Sequence, residues 1–371
     1  MKKKIICFLL VFGAVMLFAC NKKPGESIIE NNEFIIFDTL GGSHIDNLDF
    51  VENMELNAPI IPRKDGHIFE GWYKNELYEE VFDFENEIIT EPTTLYAKWR
   101  KNTTDFNDTF KVLSIGNSFS EDAHWLLWSV ANSYGINPEN IVVANMYIGG
   151  APLDTHRIYM LNDQDVYRYE KYTGPVRKVT NNYRLSDAIK DEEWDVITFQ
   201  EGSTQSGLFE QIGDTITLLS KWAKEEALNP NVQVAWHMTW AYQQNSTHAG
   251  FANYNNNQIT MFNMINEVLV KKVFSNNLVN FVIPSGVAVQ NARTSYLGDT
   301  LTLDGYHLSI PHGRYIASLS FFKAITNFDI TMENIEFAPT GVTQSDKMVI
   351  FEAVNNAFKN EFTITNSIFP E

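Results

Sequence analysis

Val112-Leu113-Ser114-Ile115-Gly116-Asn117-Ser118-Phe119-Ser120 is the stretch on which the fold turns. Val112–Ile115 is a short, mostly apolar run, as expected of a strand buried on both faces. Gly116 permits a tight turn, and a helical pattern over Glu121–Tyr134 begins at once, with Ser118 or Ser120 available as N-cap. A strand that feeds a helix through a glycine turn opens an α/β unit.

The pattern recurs downstream. Further strands are expected at Ile141–Asn145, Val196–Phe199, Val232–Trp236 and Val279–Ile283. Helices are expected at Phe209–Leu228, Tyr254–Phe274 and Pro311–Phe328, the last with proline in its first turn, where a missing N–H costs nothing. About five parallel strands with crossover helices predict a flavodoxin-like, doubly wound α/β sheet across residues 109–371. Tyr167–Tyr183, rich in Tyr, Thr and Val around Gly174-Pro175, reads as a β-hairpin or long loop inserted after the second strand.

Upstream lies a different composition. Residues 101–108 are a polar linker, and residues 34–100 form short alternating segments between turn residues: Phe34–Phe37, Gly66–Tyr73, Val81–Phe84 and Thr94–Trp99. So small a unit needs large side chains for its core, which Phe69, Trp72, Tyr73 and Trp99 are expected to supply. Residues 20–33 read as a polar tether. Before them, Lys2-Lys3-Lys4 and the apolar run Ile5–Phe18 have the form of a secretory signal peptide over residues 1–19, too short to span a bilayer. The signal ends in Leu17-Phe18-Ala19-Cys20, which resembles a bacterial lipobox. The resemblance implies that Cys20 is lipidated and that the protein is an exported, membrane-anchored lipoprotein facing the periplasm or the cell exterior.

Composition narrows the function. With 44% hydrophobic and 13% aromatic residues the 371-residue chain can bury a core, so disorder is excluded. Its 46 acidic against 28 basic residues give a net charge of −18, which lacks the basic footprint that nucleic acid requires. Cys7 and Cys20 are the only cysteines, too few for a disulfide framework or a thiolate zinc cluster. The histidines show no H-x-x-x-H or H-E-x-x-H spacing, so neither a catalytic metal nor any cofactor is expected.

Active sites of open α/β sheets lie beyond the carboxyl ends of the strands. Ser118 stands there, at a helix N-terminus whose free N–H groups and dipole favour a developing oxyanion. Asp304-Gly305-Tyr306-His307 follows the fifth strand, and a D-x-x-H spacing on a turn lets the carboxylate reach Nδ1 while Nε2 aims at a serine. The second strand leads into Asn145-Met146-Tyr147-Ile148-Gly149-Gly150, where a glycine N–H can approach substrate. The third leads into Gln200-Glu201-Gly202-Ser203, where a side-chain amide can donate. His237 and Arg293 are weaker candidates for substrate contact: His237 is equally readable as pocket wall or as a structural histidine, and for Arg293 an internal salt bridge is the favoured alternative. His156 is a further candidate for the cleft, and His124 and Trp125 are expected to pack.

G-N-S at 116–118, N-M-Y-I-G-G at 145–150 and D-G-Y-H at 304–307 together resemble the SGNH (GDSL-like) hydrolase superfamily, with Asn117 in place of the usual Asp. The resemblance extends to a bacterial surface subfamily through W-D-V-I-T-F-Q (194–200), W-H-M-T-W-A-Y-Q (236–243) and I-P-S-G-V-A-V-Q-N-A-R (283–293). It implies a catalytic triad of Ser118, Asp304 and His307, and three oxyanion donors: Ser118 N–H, Gly150 N–H and one side chain. The family's G-x-N-D is absent after Phe199. Gln200 takes that role by analogy with SGNH carbohydrate esterases that carry Gln-Gly-Glu there, with Ser203 and Thr204 as alternatives.

The segments F-D-T-L-G-G, G-H-I-F-E-G-W-Y, F-D-F and T-L-Y-A-K-W resemble the Listeria–Bacteroides (internalin B-type) repeat, which implies a β-grasp-like spacer. The expected function is therefore a lipid-anchored extracytoplasmic serine esterase, acting on acylated carbohydrate or another ester and tethered to membrane through Cys20. The alternatives are an adhesin or glycan-binding protein on a decayed hydrolase scaffold, and a lipase or thioesterase.

Overall fold

The computed structural model describes residues 34–370 except 63, 65, 66, 102–108, 209–211, 213, 274, 275, 277, 360 and 361. The expected signal peptide, Cys20 and the tether lie outside the described residues.

Five strands form the centre of the large domain: β7 (Phe110–Gly116), β8 (Ile141–Tyr147), β11 (Val196–Phe199), β12 (Gln233–His237) and β13 (Phe281–Ile283). All are parallel, in the spatial order β8-β7-β11-β12-β13. In chain order that is 2-1-3-4-5, the flavodoxin-like arrangement. Every residue of β11 is buried and nearly every residue of β7 and β8, which is why these strands read as apolar runs rather than alternations. The sheet has seven strands, not five. The Tyr167–Tyr183 segment forms β9 (Tyr167–Tyr172) and β10 (Lys178–Tyr183), and β9 pairs antiparallel with β8 to continue the sheet. The edge strand β10 is mostly exposed and carries polar residues such as Lys178, Asn181 and Asn182, which discourages pairing with another chain.

Helices α1 (Ser118–His124) and α2 (Leu127–Tyr134) cross from β7 to β8. Helices α3 (Leu153–Leu161) and α4 (Leu185–Ala188) lie between β8 and β11, and α5 (Thr215–Glu226) and α6 (Gln258–Val268) link β11, β12 and β13. After β13 come α7 (Ser285–Ala292), α8 (His312–Thr326) and α9 (Gln344–Lys359). The chain moves along the sheet one way from β7 to β8 and the other way from β8 to β11. Right-handed crossovers therefore place α1–α2 and α3 on opposite faces. Accordingly α1 and α2 pack on α8, which also meets α7 and α9, while α3 packs on α5.

The single helix expected over Glu121–Tyr134 is two. Ser318 of α8 inserts its hydroxyl at the break, donating to Ala123 O at 2.7 Å and accepting from Leu126 N at 3.3 Å. A side chain that takes over both backbone groups interrupts the i→i−4 ladder.

In the small module, β1 (Phe34–Asp38), β2 (Leu48–Asp49), β4 (His67–Tyr73) and β6 (Thr94–Lys101) form a sheet ordered β2-β1-β6-β4, with β3 (Met54–Glu55) and β5 (Ile88–Ile89) paired apart. Its core includes Ile35, Phe37, Trp72, Phe82 and Leu95, with Phe69 and Trp99 packed against it. Tyr73 stands outside that core, edge-on to Tyr78. Val81–Phe84 is not a strand: Val81 makes one bridge to Tyr73, and the chain then turns on Asp83, whose carbonyl accepts from Asn86 and Glu87.

Candidate active site

β7 ends at Gly116, where there is no room for a side chain. A Cβ there would lie 2.6 Å from Ser120 Oγ and 3.0 Å from Gln200 Cδ. Neither candidate serine caps the helix that follows. Asn117 does, in extended conformation, its Oδ1 accepting from Phe119 N at 3.0 Å. Ser118 becomes the first residue of α1, with an N–H that has no intrahelical acceptor and a hydroxyl released from capping.

That hydroxyl lies 2.8 Å from His307 Nε2, and His307 Nδ1 lies 2.7 Å from Asp304 Oδ2. The Asp304 carboxylate also accepts from the backbone N–H groups of His307 (2.9 Å) and Tyr306 (3.2 Å). Partial burial raises its pKa, but these N–H donors and the imidazole outweigh that and hold it below the usual carboxylate range. The loop bearing both residues is closed by Leu303 N→His307 O (2.8 Å) and Ser309 N→Leu301 O (2.9 Å).

Asp122 of α1 fastens this loop to the serine helix. Its Oδ2 accepts from Leu308 N at 2.7 Å and its Oδ1 pairs with Arg314 Nη2 at 2.8 Å. Burial pushes its pKa up to about 6 against the pull of Arg314. Nothing in its local sequence marks this role, which depends on contact with residues from the far end of the domain.

Gly150 is exposed with φ +64°, a left-handed turn position, and no described group accepts its N–H. The next residue is tied back to the serine turn, Asn117 Nδ2 donating to Ala151 O at 3.1 Å. Gln200 is buried at the end of β11. Its Nε2 donates to Asn117 Oδ1 at 2.8 Å and its Oε1 lies 3.0 Å from His237 Nδ1, which leaves one amide hydrogen uncommitted. Ser203 Oγ is 2.8 Å from Tyr242 OH. Glu201 is buried too. Its Oε1 accepts from Leu153 N (2.8 Å) at the start of α3 and from Gly202 N (2.7 Å), and burial pushes its pKa up to about 7.

Other candidates do not reach the cleft. His237 is 0% exposed, so it cannot contact substrate as pocket wall. Arg293 is buried and pairs with Asp299 at 2.9 Å, while its Nη1 donates to Ala241 O and Gln290 Oε1. A guanidinium so enclosed does not reach substrate. His156 is buried against Tyr167 OH at 2.9 Å, and His124 against Ser114 Oγ at 2.8 Å. Trp125, expected to pack, is 37% exposed, with the Arg314 guanidinium 4.3 Å from its ring centre.

Residues 111–357 match the family described as a domain of unknown function, DUF4886. The chain belongs to the DUF4886 family. Residues 34–98 match the Listeria–Bacteroides repeat domain, so the DUF4886 domain follows a repeat module. A crystal structure of a DUF4886 protein from Bacteroides uniformis is 36% identical and covers 70% of this chain and 98% of its own, with a TM-score of 0.65. A Slackia heliotrinireducens protein described as a candidate SGNH hydrolase is 19% identical over 59% of this chain and 100% of its own, at TM-score 0.41. An acetyl-xylooligosaccharide esterase from Geobacillus is 13% identical over 59% of this chain and 95% of its own, at TM-score 0.38. At these scores neither of the last two says anything of the chemistry of this DUF4886 domain. Among curated proteins, one from Evansella cellulosilytica, named as a membrane protein, is 42% identical over 77 residues. That match spans 20% of this chain and 12% of the relative's length. Among the described residues no helix is long and apolar enough to cross a membrane.

Proposed function

We propose that the DUF4886 domain is a serine ester hydrolase of SGNH type. The observation that carries this is the unbroken chain from Ser118 Oγ to His307 Nε2 (2.8 Å) and from His307 Nδ1 to Asp304 Oδ2 (2.7 Å) at the carboxyl ends of the strands. His307 takes the proton of Ser118 as the hydroxyl attacks the ester carbonyl, then gives it to the departing alkoxide. Asp304 holds the Nδ1–H tautomer and stabilises the imidazolium. The resulting acyl-serine is hydrolysed by water that His307 activates in turn. The tetrahedral oxyanion accepts from Ser118 N–H, Gly150 N–H and the uncommitted amide hydrogen of Gln200.

Hydrolysis of p-nitrophenyl acetate by the wild type, abolished in a folded Ser118→Ala variant, is the expected outcome; equal turnover by both would sink the reading. The substrate class we infer is acylated carbohydrate. What supports this is the half-buried Tyr306, its ring 4.2 Å from that of His307, and Trp125, 37% exposed just past the end of the serine helix, as aromatic side chains a sugar could meet. Acetate release from acetylated polysaccharides checks this. Anchoring through a lipidated Cys20 completes the proposal, and Cys20→Ser should move the protein from the membrane fraction to the soluble one. Retention of that variant in the membrane fraction would count against the anchor.

A further inference from the structure

A glutamine at an oxyanion hole has a weakness: its carboxamide is nearly symmetric in shape, and a half-turn replaces the N–H donor by a carbonyl oxygen. An oxygen facing the oxyanion would repel it. Something must decide which way Gln200 faces, and its two neighbours are the only groups bonded to it among the described residues.

Asn117 supplies half of the answer. Its Nδ2 donates to Ala151 O, a carbonyl, so its other atom must be the acceptor Oδ1, which also takes the Phe119 N–H. Gln200 therefore presents a nitrogen to Asn117. His237 supplies the other half. Its Nδ1 is 3.0 Å from the remaining carboxamide atom of Gln200, and its Nε2 is buried with no partner. A buried ring nitrogen without a partner costs less as a bare lone pair than as an orphaned N–H. The ring itself is held edge-on to Phe321, with centroids 4.7 Å apart.

We infer that His237 is a positioning residue of the oxyanion hole: as a neutral Nδ1–H imidazole it holds the Gln200 oxygen inward, so that the amide hydrogens go to Asn117 and to the reacting centre. Burial works in the same direction, pushing the His237 pKa down to about 3 with the nearby His124 adding to it, so the ring stays neutral at physiological pH. The chain His237→Gln200→Asn117→Ala151 O thus starts in the core and ends at the loop bearing Gly150, joining two of the three proposed oxyanion donors. The sequence motif alone places no histidine in this role.

The kinetic consequence rests on the esterase reading, while the tautomer can be measured without it. His237→Phe keeps the packing on Phe321 but removes the donor. With Asn117 alone left to orient the Gln200 carboxamide and its buried oxygen without a donor, kcat should fall about 10²-fold with little change in KM. His237→Asn, whose amide can donate from a similar position, should recover most of that loss. A folded His237→Phe with wild-type kcat would overturn the inference. Long-range ¹⁵N–¹H correlation on the wild-type protein should show His237 as the neutral Nδ1–H form, unchanged from pH 5 to 8. An Nε2–H or a charged ring would overturn it equally, even if His237→Phe does not fold. Absence of esterase activity in the wild type would remove the proposed function and leave the tautomer result to decide the orientation of Gln200.

Discussion

At the scale of single residues, the site depends on which polar atoms are already committed. Ser203 Oγ is paired with Tyr242 OH at 2.8 Å, whereas Gln200 keeps one amide hydrogen free. A donor that engages only in the transition state changes kcat rather than KM. Gln200→Ala should therefore lower kcat about 10²–10³-fold with KM nearly unchanged, and Ser203→Ala far less, as read by steady-state kinetics on folded protein. The reverse ranking would move the third donor to Ser203. Asn117 shows the same economy: one carboxamide caps α1, receives Gln200 and holds Ala151.

At the scale of elements, α1 is a bracket between Ser118, the proposed nucleophile, and the histidine loop. Ser118 begins it, and Asp122, one turn later, holds Leu308 N–H and Arg314. Asp122 is 2% exposed, so Asp122→Ala would leave the largely buried guanidinium of Arg314 without its carboxylate. Breaking such a pair costs about 3–5 kcal/mol. Urea unfolding should show a loss of that order, and Asp122→Asn, which keeps an acceptor for Leu308 N–H, a smaller one. Equal stability of all three proteins would show that the bracket is not needed. The α1–α2 break serves the same geometry, since Ser318 of α8 joins the two helices at the point where they part.

At the scale of the whole molecule, acid stability follows from groups buried in the large domain. Burial pushes His124, His156 and His237 down to about 3, against about 6.5 in an unfolded chain. The unfolded state then binds more protons, so their contribution is full above pH ~6.5 and is lost as the pH falls toward 3. Glu201, pushed up to about 7, and Asp122, up to about 6, act with the opposite sign: the folded state holds their protons, and stability gains as the pH falls through those values. Glu170 and Asp195, whose carboxyl pKa values burial also raises, side with Glu201 and Asp122, so these acids offset part of what the three imidazoles lose on acidification. Glu201→Gln keeps an acceptor for Leu153 and Gly202 while removing one opposing contribution. Its unfolding free energy should be higher than wild type at pH 8 and should fall more steeply on acidification. Parallel pH profiles for the two proteins would contradict the placement of Glu201 as a buried acid.

Read from the sequence alone, the five parallel strands and the insert after the second of them were already legible. Both are written in local hydrophobic runs and turn residues. The sequence also named the residues now found in one hydrogen-bonded chain, because Asp304 and His307 share a short loop and Ser118 sits at a strand end, where an open α/β sheet gathers its loops. The tertiary structure alone decided the rest. Ser318 splits a helix 192 residues before it, Gln200 turns toward Asn117 across 83 residues of chain, and His237 and Arg293 withdraw into the core. Local spacing reports the backbone near a residue. Which distant side chain satisfies a buried amide, or buries an imidazole, is settled only when the sheet and its helices pack.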